Sequence, residues 1–129
     1  NSAIGRWDVS QVKSMWTAFM HAGSFNQDLS SWDTSSVTNM ESLFNSAPSF
    51  NRNISMWNVS QVVNTRGMFS GASSFNHDIT GWRLRQDRSL NVHGMFAGAS
   101  KWFAAYTNCG FDDSDTTACT GGTYEDSSG

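Results

Sequence analysis

The residue types that could do chemistry in this 129-residue chain are its three histidines, two cysteines and eleven acidic residues. Nucleophilic catalysis needs a Ser or Cys beside a base, and a metal site needs several ligands at short, fixed spacing. The histidines, His21, His77 and His93, are far apart in sequence, and no nucleophile elbow, phosphate loop or zinc-ligand spacing accompanies them. We therefore expect a protein that is not an enzyme and has no metal or cofactor.

Both cysteines, Cys109 and Cys119, lie in an acidic, glycine-containing tail. Two such thiols most simply form one disulfide, which would hold a terminal cap too small to fold alone, although free thiols are an alternative. A disulfide predicts an oxidising compartment and therefore an extracellular location. The same tail carries Asp112, Asp113 and Asp115. Their spacing misses the calcium-loop pattern, so a solvated acidic loop is favoured over a calcium site.

The rest of the chain is organised by a repeat of 25 residues, which is clearest in Trp7, Trp32, Trp57 and Trp82. A fixed period in this range is typical of solenoids, in which each unit must stack on its neighbours to bury its apolar face. Two extra residues enter after Trp82, and the pattern then resumes. Apolar residues that keep the same register are Ile4, Leu29, Ile54 and Ile79, then Phe19, Phe44 and Phe69, and then Phe25, Phe50 and Phe75.

Within each unit the apolar spacing predicts one strand and one helix. Apolar residues at 37–47 fall at steps of three and four, which places them on one helical face, and equivalent helices are expected at about 11–22, 61–72 and 90–99. The run at 29–34 has the apolar spacing of a leucine-rich-repeat strand. Strands stack more closely than helices, so the strands would line the inside of a curve. The prediction is an α/β solenoid of leucine-rich-repeat type with about four 25-residue turns and a disulfide-stapled C-terminal cap.

The repeated text also carries a family resemblance. The runs SFNQDLSSW at 24–32, APSFNRNISMWNVSQV at 47–62, SFNHDI at 74–79 and GMFSGAS at 67–73 resemble the BspA-like leucine-rich repeat surface proteins. The resemblance covers about residues 1–103, which sets residues 104–129 apart as the cap. It implies a secreted or surface-anchored protein that adheres to a matrix or cell-surface protein.

The expected strand register assigns the positions that a protein partner would contact. Mixed charge with one exposed methionine suits a protein interface better than a uniform glycan platform. Two asparagines, Asn53 and Asn58, are also N-glycosylation sequons, which matter only in a eukaryotic secretory protein. The assigned positions are Arg6, Asp8, Ser31, Asp33, Met56, Asn58, Arg83 and Arg85.

A column of asparagines, Asn26, Asn51 and Asn76, recurs at the same interval. A buried asparagine in each turn can bond backbone groups of the adjacent turn, so we expect a structural ladder rather than a ligand site.

These observations predict an extracellular, non-catalytic module that binds a protein partner through a repetitive surface. The alternative is a structural subunit that stacks end to end into a fibre, because Asn1 shares the column of Asn26 and the first unit is expected to present an open edge. The net charge of −3 comes from the acidic tail, so the near-neutral repeats offer no footprint for nucleic acid. No apolar run is long enough to cross a bilayer, so membrane insertion of this segment is not expected.

Overall fold

The computed structural model describes residues 2–84 and 90–106, in which the 25-residue units stack on one another. Isolated parallel bridges join the successive units at Ser14 and Asn39, Asn39 and Asn64, and Asn64 and Asn91. Among the described residues these bridges are the only β pairing, and α1, Ser100–Ala105, is the only α-helix. Backbone hydrogen bonds between successive units, rather than extended strands, therefore hold the stack together.

The segment at 37–47, predicted to be helical, is a run of overlapping four-residue turns. Leu43 N donates to Met40 O at 3.3 Å within the unit, whereas Phe44 N donates to Met68 O of the next unit at 2.8 Å. Amides therefore alternate between a partner inside the unit and a partner in its neighbour. An α-helix instead directs every interior amide to the residue four positions back.

This alternation places two residues of each unit, four positions apart, in the left-handed region of backbone space. An α-helix has negative φ throughout, so the helices predicted at 11–22, 37–47, 61–72 and 90–99 are wrong. Glycine adopts positive φ without steric cost, whereas other residues are strained there. The positions are Thr17, His21, Ser42 and Ser46, with φ of 55° to 60°, and Gly67, Gly71, Gly94 and Gly98, with φ of 60° to 76°.

The predicted strand at 29–34 is also absent. Trp32 N donates to Leu29 O at 3.1 Å, and Val37 N donates to Thr34 O at 3.0 Å, so this run folds as two successive turns. The α/β leucine-rich-repeat solenoid is therefore wrong for the described residues in both of its elements. The disulfide-stapled cap is not supported either. No disulfide is found in the described part of the chain, and Cys109 and Cys119 lie outside it.

The aromatic columns form the centre of the stack. Phe44 stacks on Phe19 and on Phe69, with ring centroids 5.7 Å away in both cases. Inside its own unit Phe44 also stacks on Phe50 at 3.9 Å. Phe44, Phe50 and Phe69 are completely buried. Each ring thus packs both along the stack and across its unit, which couples neighbouring units through apolar burial and ring contacts.

The tryptophan column adds a polar link to this apolar core. Trp57 Nε1 donates to Leu29 O at 2.9 Å, and Trp82 Nε1 donates to Ile54 O at 3.1 Å. Each indole therefore bonds a backbone carbonyl of the preceding unit while its rings lie in the core. Buried Trp N–H groups usually need such a partner.

Candidate interaction surface

The described residues among those predicted to face a partner are exposed, and none of them lies on a strand. Two columns contain them, one through Arg6, Ser31 and Met56 and one through Asp8 and Asp33. The second column continues through Asn58 and Arg83, which are exposed as well. Arg85 lies outside the described residues. The predicted strand register was wrong, yet it selected positions on the outside of the stack.

Most acceptors of the second column are engaged in their own backbone turn. Asp33 Oδ1 accepts from Ser35 N at 3.0 Å and from Ser35 Oγ at 2.5 Å. Asn58 Oδ1 accepts from Ser60 N at 3.0 Å and from Ser60 Oγ at 2.7 Å. The Ser35 hydroxyl, followed by the Ser35 amide, lowers the pKa of Asp33. These side chains hold the local backbone in a fixed turn.

A further column, formed by Asp28, Asn53 and Asp78, closes turns of the same kind. Asp28 Oδ1 accepts from Ser30 N at 2.9 Å, and Asp78 Oδ1 accepts from Thr80 N at 2.9 Å. Asn53 occupies the equivalent position and bonds in the same way. The Ser30 amide is the main cause that lowers the pKa of Asp28. Because Asn58 and Asn53 make the same bonds as the aspartates of their columns, these turns use a side-chain acceptor and do not need a charge.

A surface cleft of about 380 Å³ opens between these units. Of the predicted partner-facing residues, only Met56 lines it. Met56 is 76% exposed. The lining residues are Asp28, Ser30, Asn51, Arg52, Asn53, Met56 and His77.

Arg52 and His77 were not predicted as part of a binding surface, because their column holds a different residue in each unit. The structure gives them a common role. Arg52 Nε donates to Asn26 O at 2.8 Å, and His77 Nε2 lies 3.2 Å from Asn51 O. Each side chain therefore crosses to a carbonyl of the preceding unit, 26 residues earlier. The sequence itself shows only that Arg52 and His77 stand 25 residues apart in one column.

The asparagine column lies along the same loops. Asn26 Oδ1 accepts from Asn51 N, and Asn51 Oδ1 accepts from Asn76 N, both at 2.9 Å. The side chains were expected to be buried, but Asn51 and Asn76 are exposed and Asn26 is half-buried. The bonds link successive units, and Asn51 itself lines the cleft.

Within residues 2–84 and 90–106 no group of three or more His, Cys, Asp or Glu side chains is arranged to hold a metal ion. His21 and His93 do not line the cleft, whereas His77 does. Over the same residues, no helix is long and apolar enough to cross a membrane.

A comparison with protein families finds a family model that matches most of the chain. A family model described as "Mycoplasma protein of unknown function, DUF285" matches residues 1–108. The chain belongs to this family. No curated protein and no solved structure matches it. The assignment to BspA-like leucine-rich repeat proteins is therefore wrong, and the adhesive role which that resemblance implied loses its basis in family membership.

Proposed function

We propose that this protein of the DUF285 family is a non-catalytic module that binds a protein partner through the surface around Met56. The observation that carries the proposal is the 76% exposure of Met56 beside a cleft that also contains Arg52 and His77. Methionine and arginine are enriched at protein interfaces relative to the rest of a protein surface. An exposed apolar side chain beside polar groups matches an interface with an apolar centre and a polar rim.

The backbone around this surface is organised before any partner arrives. Asp28 and Asn53, which each close a turn, line the same cleft as Met56. The bond from Asn51 N to Asn26 Oδ1 links two successive units there. A surface that is already ordered loses less conformational entropy on binding. Mixed charge, with Asp28 facing the same cleft as Arg52, favours a protein over a uniformly charged polymer.

The proposal places the module outside the cell, where it would bind a matrix or cell-surface protein. Brief protease treatment of intact source cells tests the location. We expect loss of the protein with cytoplasmic markers intact, and protection equal to that of those markers would refute the extracellular placement.

The binding proposal is tested by titrating the protein against an array of purified matrix proteins and then introducing Met56→Asp. A buried charge at the interface centre is expected to weaken binding by about tenfold or more, whereas folding is unaffected because the side chain is exposed. Gln11→Asp, which adds the same charge at another exposed position, is the control and is expected to retain affinity. Equal affinity of Met56→Asp and the unaltered protein would remove this surface from the mechanism.

A further inference from the structure

The outward side of the four-residue turns forms a surface that runs along the stack, which we call the lateral face. Each unit contributes two pairs of adjacent positions, four residues apart, whose side chains are exposed or half-buried. From the first unit to the fourth, the residues at these positions are Trp16, Thr17, Met20 and His21; Glu41, Ser42, Asn45 and Ser46; Arg66, Gly67, Ser70 and Gly71; and His93, Gly94, Ala97 and Gly98.

The large apolar side chains of the lateral face are Trp16 and Met20, which are 61% and 38% exposed. This exposure belongs to the column and not to the end of the stack. Arg66 occupies the position of Trp16 with a unit on either side, and its side chain is still 56% exposed. Neither Trp16 nor Met20 lines the apolar cleft at the end of the first unit, which Trp7 and Phe19 line. Tryptophan, methionine and arginine are the residue types that protein interfaces enrich.

Side-chain size falls along the lateral face. Met20 in the first unit corresponds to Ala97 in the fourth, and His21 corresponds to Gly98. Two copies of the face therefore fit each other when their stacks run antiparallel, because the bulky end of each then meets the small end of the other. A parallel arrangement would place bulky side chains on bulky side chains at one end and leave a gap at the other.

The charges of the lateral face are also self-complementary in the antiparallel arrangement. Glu41 in the second unit and Arg66 in the third occupy the same position of the repeat, and Glu41 Oε1 lies 3.5 Å from Arg66 Nη1. A two-fold axis that lies in the face between these units places Glu41 of each copy opposite Arg66 of the other. The four charges then alternate in sign. A parallel arrangement sets the second unit over the second unit and provides no opposite charge for either residue.

We propose that the lateral face binds a second copy of this chain, with the two stacks antiparallel about that two-fold axis. Such an interface uses the same surface of both copies, as in most homodimers. The matched order of size and charge is what selects a second copy as the occupant. Four units spaced by about 4.8 Å make a small interface, so the dimer is weak, with a dissociation constant in the micromolar range. This inference stands apart from the proposed binding surface around Met56.

The first test is sedimentation velocity of the whole chain at about 5 to 500 µM. We expect the sedimentation coefficient to rise with concentration from that of one chain to that of two. Trp16→Ala should weaken the association by about tenfold or more, because it removes the largest side chain of the interface. Met56→Asp changes an exposed side chain on another column and is the control that should associate as the unaltered protein does.

A charge exchange tests the antiparallel arrangement itself. Glu41→Arg alone and Arg66→Glu alone each place like charges opposite one another, so each variant should remain monomeric. An equimolar mixture of the two variants should associate, because the positive face of one then meets the negative face of the other. The double variant Glu41→Arg/Arg66→Glu should regain association with itself. Urea midpoints check folding, which should change little because the exposed ion pair contributes little to stability.

Each outcome decides for or against the proposal. It is overturned if the chain remains monomeric over the whole concentration range, or if Trp16→Ala and the single charge variants associate as well as the unaltered protein. Association that the single charge variants lose and the double variant does not regain overturns the antiparallel arrangement. Loss in both single variants, with recovery in the mixture and in the double variant, supports it.

Discussion

The strained backbone column at His21, Ser46 and Gly71 gives a prediction whose sign depends on which residue is replaced. His21 has a φ of 60° and Gly71 a φ of 72°, so both occupy the left-handed region. A side chain there costs about 1–2 kcal/mol. Glycine removes that strain but loses about 0.5–1 kcal/mol through the greater freedom of the unfolded chain. The net expectation for His21→Gly is a stabilisation of about 0.5–1 kcal/mol.

The reciprocal change, Gly71→Ala, should destabilise by a similar amount. A Cβ at Gly71 would meet its nearest neighbour, Ser46 Cα, at 3.5 Å, which is an ordinary contact. The cost therefore comes from backbone strain and not from a clash. His21→Ala is the control. It removes the exposed imidazole but keeps the Cβ, so its stability should change by less than about 0.5 kcal/mol.

Urea unfolding followed by far-ultraviolet circular dichroism measures these changes as shifts of the midpoint at constant slope. A constant slope shows that the surface exposed on unfolding is unchanged, so the midpoint reports stability. The reasoning is refuted if His21→Gly destabilises the protein while His21→Ala does not, or if Gly71→Ala is neutral.

Two further predictions concern hydrogen bonds between and within units. Trp57→Phe should lower the free energy of unfolding by about 1.5–3 kcal/mol, because it removes the bond to Leu29 O, which then keeps only its bond from Trp32 N, and creates a small cavity. Trp7→Phe, in the same column but with no acceptor for its indole among the described residues, should change the free energy of unfolding by less than about 0.5 kcal/mol in the same urea assay. A loss equal to that of Trp57→Phe would contradict this account. Asp33→Asn keeps the hydrogen-bond acceptor but removes the carboxyl group, whose pKa the Ser35 hydroxyl lowers. The ionised carboxylate contributes stability above the ordinary pKa of 3.8, and this contribution is lost as the pH falls through the lowered pKa, so the variant should lose less thermal stability than the unaltered protein between about pH 5 and pH 2. Identical acid sensitivity of the two melting temperatures would show that Asp33 is not involved.

Part of the candidate surface could be predicted from the sequence. Outward positions recur at the same place in every 25-residue unit, and this holds for strands and for turns alike. Met56 was selected in this way and is exposed beside the cleft. The sequence does not single out Arg52 and His77, because the residue type in their column changes from unit to unit. Only the structure shows that both side chains reach a carbonyl of the preceding unit.

The helix prediction failed because apolar steps of three and four are compatible with two kinds of backbone. Met40 and Phe44 occupy one face of a helix, but they also occupy equivalent positions in a ribbon of four-residue turns. The sequence held a signal against the helix. Gly67 and Gly71 lie four residues apart inside one predicted helix, where each glycine costs about 1 kcal/mol relative to alanine.

The sequence alone determined the length of each unit and the columns that form the core, because a fixed spacing of large apolar residues can be buried only when equivalent positions stack. It did not determine the backbone path within a unit, since that depends on whether each amide finds its partner inside the unit or in the next one. Thr17 and Ser42 make the point, because neither favours positive φ locally, yet both adopt it. Their amides bond Glu41 O and Arg66 O of the following units, and those tertiary bonds hold the strained backbone in place.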